Sequence, residues 1–258
     1  METSTPREFL GGLRLLGRGM ALYGRNPGLL VLGLIPALIT GVLFVGLFVP
    51  LVVFITDITD TVTWFADDWS SGARSAVRIV AGIGVVGVTG LLFVVSYTAV
   101  TLLIGDPFYE KISERIEDRL GGVPNEVDVP WYRSLLRSLG DSVRLLLVTI
   151  PLGLMLFVGG FIPIVGQTVI PVLGALVGGW FLAVELVGVP FGRRGMRLRE
   201  RRALLRAHRP MALGFGVGVF LCFLVPLGAV LVMPAAVAGG TLLARRTLGL
   251  PVEVTREA

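Results

Sequence analysis

Apolar residues make up 54% of this 258-residue chain and its mean hydropathy is +0.83, which a soluble domain could not carry without exposing large apolar patches. The net charge of +5 comes from arginine, with Lys111 the only lysine; its juxtamembrane clusters suit anionic lipid, and no aromatic-interleaved basic groove or motif for nucleic acid accompanies them. Cys222 is the only cysteine and His208 the only histidine, which excludes an intrachain disulfide, a cysteine metal cluster and a histidine-rich zinc site.

Residues 1–26 lack the early apolar core and small-residue cleavage site of a signal peptide. Phe9, Leu13, Leu16, Met20 and Tyr23 recur at steps of four and three, with Arg7, Arg14, Arg18 and Arg25 on a neighbouring face. The pattern predicts an amphipathic helix in the membrane interface; a helix packed on another protein segment has the same signature. Residues 28–55 and 79–105 follow without a single charge. Each is longer than the roughly 20 apolar residues a spanning helix needs, so both are predicted to cross the bilayer.

Loop charges orient these spans. The loop 56–76 holds Asp57, Asp60, Asp67 and Asp68 against Arg74, while arginines crowd the segments before the first span and after the second. By the positive-inside rule the loop is external, with Trp64 and Trp69 as interface anchors, and both the N-terminus and residues 106–144 are cytoplasmic. Asp106 before Pro107 reads as a helix N-cap, opening a helix with the stripe Phe108, Ile112, Ile116 and Leu120. Glu110, Glu114, Glu117 and Asp118 fall on its other faces, and Gly121–Gly122 stops it. A second stripe, Trp131, Leu135, Leu139 and Val143, leads into the next apolar block.

Two further blocks, 145–192 and 211–244, are broken by Gly/Pro clusters at 159–167 and around Pro226. Arginines flank both, so each block enters the membrane and returns, as a re-entrant hairpin or as two short spans. The first arm, 145–158, reaches only about 21 Å at ~1.5 Å per residue, against a hydrocarbon core of about 30 Å. Basic residues 193–209 between the blocks and the tail 245–258 are predicted to be cytoplasmic. The whole chain then forms one membrane domain: an interfacial helix, two long spans, cytoplasmic amphipathic helices and two half-inserted hairpins.

Polar groups within these blocks are few. Gln167 could line a pathway or cap a turn; Glu185 could face a polar pathway, reach the interface, or pair with Arg193 or Arg194. The glycines at 82–84 and 214–218 suit close helix packing. No HExxH, GxSxG, paired intramembrane aspartates or nucleotide motif is present, so neither an enzyme nor a cofactor is expected. Arg25-Asn26-Pro27-Gly28-Leu29 ends the first helix and opens the first span. A new helix start presents free N–H groups at its positive end, and with Arg25 beside it the corner attracts anions; a simple elbow between two helices uses the same residues.

Four motifs in order carry a family resemblance: Asn26-Pro27-Gly28-Leu29 followed by Ile35-Pro36; Asp106-Pro107-Phe108-Tyr109-Glu110-Lys111; Phe161-Ile162-Pro163-Ile164-Val165-Gly166; and Val225-Pro226 followed by Met233-Pro234 and Ala235 to Thr241. Together they resemble the CysZ-type sulfate permeases, related to the etoposide-induced membrane protein superfamily. The resemblance implies two long transmembrane helices, two hairpins that enter partway, homo-oligomerisation, and sulfate movement into the cytoplasm for cysteine synthesis. It also implies a sulfate site at a Gly-Leu-Arg sequence opening the first long helix. Gly28 and Leu29 match this sequence, and Leu30 stands where the arginine would be, leaving Arg25 as the nearest substitute. The reading is an anion permease of the inner or plasma membrane with both termini cytoplasmic; the alternative is a membrane scaffold that transports nothing.

Overall fold

The computed structural model describes residues 5–53, 70–124 and 131–253, and every regular element among them is a helix. In chain order these are α1 (Thr5–Arg25), α2 (Pro27–Val53), α3 (Ser71–Arg119), α4 (Trp131–Gly159), α5 (Val165–Leu186), α6 (Gly188–Gly192), α7 (Leu198–Ala207), α8 (Arg209–Phe223) and α9 (Gly228–Thr247). Stretches in α2, α3, α5 and α9 are long and apolar enough to cross a bilayer, and the chain is an all-α integral membrane protein. The predicted outer loop lies largely outside the described residues, Trp64 and Trp69 included. Two compact units divide the chain: Leu34–Asp106, and Met1–Gly33 together with Pro107–Ala258.

Leu34–Asp106 holds the apolar lengths of α2 and α3. Phe44 meets Phe93 and Tyr97 edge-on, with ring centroids 5.2 and 5.5 Å apart, and the Tyr97 hydroxyl donates to the Ala37 carbonyl at 2.9 Å. In an apolar surrounding a phenol needs such an acceptor. Thr40 and Thr98 satisfy their hydroxyls on the carbonyls one turn back, Pro36 and Val94. Val42, Leu91 and Leu103 stay exposed, as lipid-facing positions do.

The other unit is built on glycine seams. A Cβ on Gly12 would fall 2.0 Å from the Met211 carbonyl oxygen, and one on Gly19 2.5 Å from that of Ala235. The backbone of α1 therefore rests directly on α8 and α9. A Cβ on Gly216 would lie 1.8 Å from the Gly179 oxygen, which brings α5 against α8 in the same way. Small residues allow this proximity, and close backbone packing joins helices where lipid is as apolar as the helices themselves. The first helix therefore packs on other helices, with Leu15 and Leu16 buried. The stretch of α9 that is long and apolar enough to cross a bilayer is itself 78% buried in protein.

Several sequence expectations need correction. Asp106 does not begin a helix, because α3 runs for 49 residues through Pro107 without a break. Proline removes one N–H and crowds the carbonyl one turn back, but local adjustment in membrane helices can absorb that loss. The stripe on α3 is as expected, with Ile112 and Ile116 buried, but Glu117 is not on an outer face: its exposure is 0%. Arg245, at the flank of the last apolar block, is buried too, at 2% exposed.

Both hairpins turn where expected, between α4 and α5 and between α8 and α9. Each tip sets a proline before a non-glycine residue with positive φ: Ile164 at 68° after Pro163, and Leu227 at 61° after Pro226. The Val165 N–H donates to the Pro163 carbonyl at 2.8 Å, closing a tight turn around Ile164. Branched side chains are costly in this region of backbone space, so both tips are strained. Their apolar residues point outward, with Phe161, Ile164 and Leu224 all exposed. The return arms are the longer ones. The 15 residues of α8 reach about 22 Å, but the 22 of α5 and the 20 of α9 reach about 33 and 30 Å.

Candidate anion site

Asn26 is the hinge of the corner where α1 passes into α2. Its carbonyl accepts the N–H groups of Leu29 at 2.9 Å and Leu30 at 3.0 Å, closing the first turn of α2, and Pro27 has no N–H to offer. The Asn26 N–H in turn reaches the Tyr23 carbonyl at 3.3 Å, so the amides of Asn26 and Leu29, both expected to be free, are engaged, which corrects the picture of an open helix start. Its side chain works in both directions. Nδ2 donates to the Leu22 carbonyl at the end of α1, and Oδ1 accepts a hydrogen bond from Arg119 of α3. One turn earlier on α3, Arg115 donates to the Gly28 carbonyl at 3.2 Å. On the inner side, the Tyr23 hydroxyl reaches the Leu30 carbonyl at 3.4 Å, and burial pushes its phenol above the usual tyrosine range.

An open cleft of about 580 Å³ lies at this corner. Its floor is apolar, formed by Leu29, Ile116 and Leu242, each no more than 2% exposed. Arg18, Arg25, Asn26 and Arg119 line the cleft as well, together with Glu253, which pairs with Arg18. Guanidinium forks above an apolar floor suit an oxyanion, which accepts hydrogen bonds on several oxygens and is screened less there than in open water.

The end of α3 is held by a second cluster, with Glu117 and Arg245 buried at its centre. Gly121 and Gly122, at φ 97° and 77°, close a helix stop in which Gly122 donates to the Glu117 carbonyl at 2.8 Å and Gly121 to that of Asp118 at 3.3 Å. The Arg245 guanidinium then donates to the carbonyls of Leu120 and Gly122, groups that helix ends leave without partners. Arg245 and Arg194 both pair with the Glu117 carboxylate, the latter at 2.7 and 3.1 Å. One carboxylate faces two guanidiniums, and the carbonyls of Pro190 and Pro251 accept further N–H groups from them. Ser113 and Thr241 add a buried hydroxyl pair at 2.9 Å one turn away. This network fixes the stretch of α3 that presents Arg115 and Arg119 to the corner.

Of the residues singled out from sequence, Arg25, Asn26 and Leu29 line the cleft, and Gly28 adjoins it through Arg115. Gln167 and Glu185 do not line it. Both are exposed on α5, about five turns apart and hence on one face of that helix. Arg194, one partner open to Glu185, is taken by Glu117. Sequence reasoning missed Arg115 and Arg119 as site residues, although their four-residue spacing sets both on one helical face beside the buried stripe.

The family described as sulfate transporter CysZ/etoposide-induced protein 2.4 matches residues 15–234, a span that takes in the corner, both α3 arginines and both hairpin tips. The chain belongs to this family. It is similar to the sulfate transporter CysZ of Pseudomonas fluorescens (strain Pf0-1), 31% identical over 254 residues, covering 97% of this chain and 99% of that protein. It is likewise similar to that of Pseudomonas aeruginosa (strain LESB58), 32% identical over 236 residues, with 90% and 94% covered. The sulfate transporter CysZ of Pseudomonas syringae pv. tomato is 30% identical over 258 residues, with 98% and 100% covered.

Proposed function

We propose that the chain is a permease or channel-like protein that carries sulfate into the cytoplasm, without an ATPase site of its own. The observation that carries this reading is the cleft at the first elbow: Arg18, Arg25 and Arg119 line it beside an apolar floor at the start of α2. Membership of a family described by sulfate transport, and relatives of matching length bearing that name, give the anion its identity. Arg119 supplies from α3 the cationic group that Leu30 does not, and Arg115 ties α3 to the Gly28 carbonyl beside it. The scaffold alternative draws no support from these relatives.

The membrane is the inner or plasma membrane, with both termini, residues 106–144 and residues 193–209 on the cytoplasmic side, as the arginine asymmetry favours. Each hairpin enters partway from that side. The short α8 and the exposed apolar tips support this arrangement, since apolar tips need lipid or protein around them. The exposed face of α5 bearing Gln167 and Glu185 is the candidate pathway wall. Copies of the chain assemble, as the family resemblance implies.

Radiolabelled sulfate uptake into proteoliposomes tests the reading, with chloride and phosphate as competitors. Saturable uptake that chloride competes weakly is expected. Uptake no greater than in protein-free vesicles would sink it.

A further inference from the structure

Among the described residues lining the cleft, Glu253 is the only acid, and it comes from the chain's own C-terminal segment. Its Oε1 lies 2.9 Å from Nη2 of Arg18 on α1. The segment is aimed there by two devices. Helix α9 ends in a glycine stop in which Gly249, at φ 71°, donates to the Arg246 carbonyl and Leu250 to that of Arg245, at 3.1 and 2.9 Å. Arg245 Nε then holds the Pro251 carbonyl at 2.8 Å, and the next two residues, Val252 and Glu253, reach the cleft wall.

We propose that Arg18 is an oxyanion ligand of the cleft and that Glu253 is a built-in competitor occupying it. The inference rests on the reading of the cleft as the sulfate site. A carboxylate and a sulfate oxygen pair draw on the same guanidinium fork, so the two exclude one another at Arg18. The incoming dianion has the advantage of reaching Arg25 and Arg119 as well, whereas the tethered monoanion meets Arg18 alone. Tethering on a short segment gives the carboxylate an effective concentration of the order of millimolar, so competition is felt when sulfate is scarce and overcome when it is plentiful. Exposure of 49% for Arg18 and 72% for Glu253 makes the internal pair weak enough to yield.

Calorimetric titration of sulfate into the purified full-length chain tests this, using Glu253→Gln, Arg18→Gln, the double variant and Arg119→Gln. Glu253→Gln is expected to tighten sulfate binding about two- to fivefold, the range set by an exposed ion pair. Arg18→Gln is expected to weaken it, and in the double variant the gain from Glu253→Gln disappears. If Arg119→Gln loses affinity while Glu253→Gln changes nothing, or if the gain survives without Arg18, the competitor is refuted and the cleft reading stands. If neither wild type nor Glu253→Gln binds sulfate saturably, the cleft reading falls and takes this inference with it.

Discussion

Glu117 and Arg245, 128 positions apart in the chain, pair at the end of α3 where neither side chain is more than 2% exposed. A buried ion pair contributes little net stability, but removing one partner strands the other charge. Glu117→Ala would leave two guanidiniums facing each other and should cost about 3–5 kcal/mol. Thermal unfolding in detergent measures the loss, and a midpoint equal to wild type would show the cluster to be open to water.

Arg119 is expected to bind the anion directly. A charge-assisted hydrogen bond contributes about 1.5–3 kcal/mol, so Arg119→Gln or Arg25→Ala should each weaken sulfate binding roughly ten- to a hundredfold. Arg199→Gln, an exposed change on α7, should leave it within twofold of wild type. Equal loss in all three variants would indicate general charge attraction in place of a site.

Leu30→Arg restores the Gly-Leu-Arg sequence that the family resemblance implies. Leu30 is half-buried beside the Tyr23 hydroxyl, so a longer chain can leave along the surface. Sulfate affinity or uptake should rise; a fall, in a variant that keeps its unfolding midpoint, would mean that Arg119 already fills that role.

Strain at the hairpin tips should be removable. Ile164→Gly and Leu227→Gly relieve positive φ at a non-glycine residue, and each should stabilise the protein by about 1 kcal/mol after the extra freedom glycine gains when unfolded. Melting curves of the two variants, compared with Ile162→Gly as a control at an ordinary position, check the sign.

Hairpin depth is accessible to labelling. In a Cys222→Ser background, single cysteines at Val165 and Val225 should resist an impermeant thiol reagent added outside, while one at Asp67 reacts. Equal rates at Val165 and Asp67 would mean that the first hairpin crosses fully.

The helices were legible because charge-free length and Gly/Pro breaks are local signals, and so were the turns at 160–164 and 224–227. The corner was half legible. Asn26-Pro27-Gly28 announces an elbow, and Arg25 stands beside it, but nothing local shows that Arg119, 93 residues away, closes on the Asn26 amide. Glu117 was misassigned because it sits one residue past Ile116, and a stripe at i, i+4 spacing does not say how wide the buried face is. That width depends on α9 packing there, with Arg245 as the partner. Asp106-Pro107 has the composition of a helix start, and within a long membrane helix that composition was overridden.

The glycine contacts invert the usual meaning of an alanine scan. In most protein interiors the scan removes atoms, and the sensitive positions are the large ones. At Gly12, Gly19, Gly179 and Gly216 it would add a methyl where another helix's backbone already stands within 3 Å. Methyl insertion would push whole helices apart, so the smallest residues should be the least replaceable. Variation in relatives can be read the same way: an exchange among leucine, valine and isoleucine on the outer faces changes little, whereas a single added carbon along the seam re-spaces α1, α5, α8 and α9.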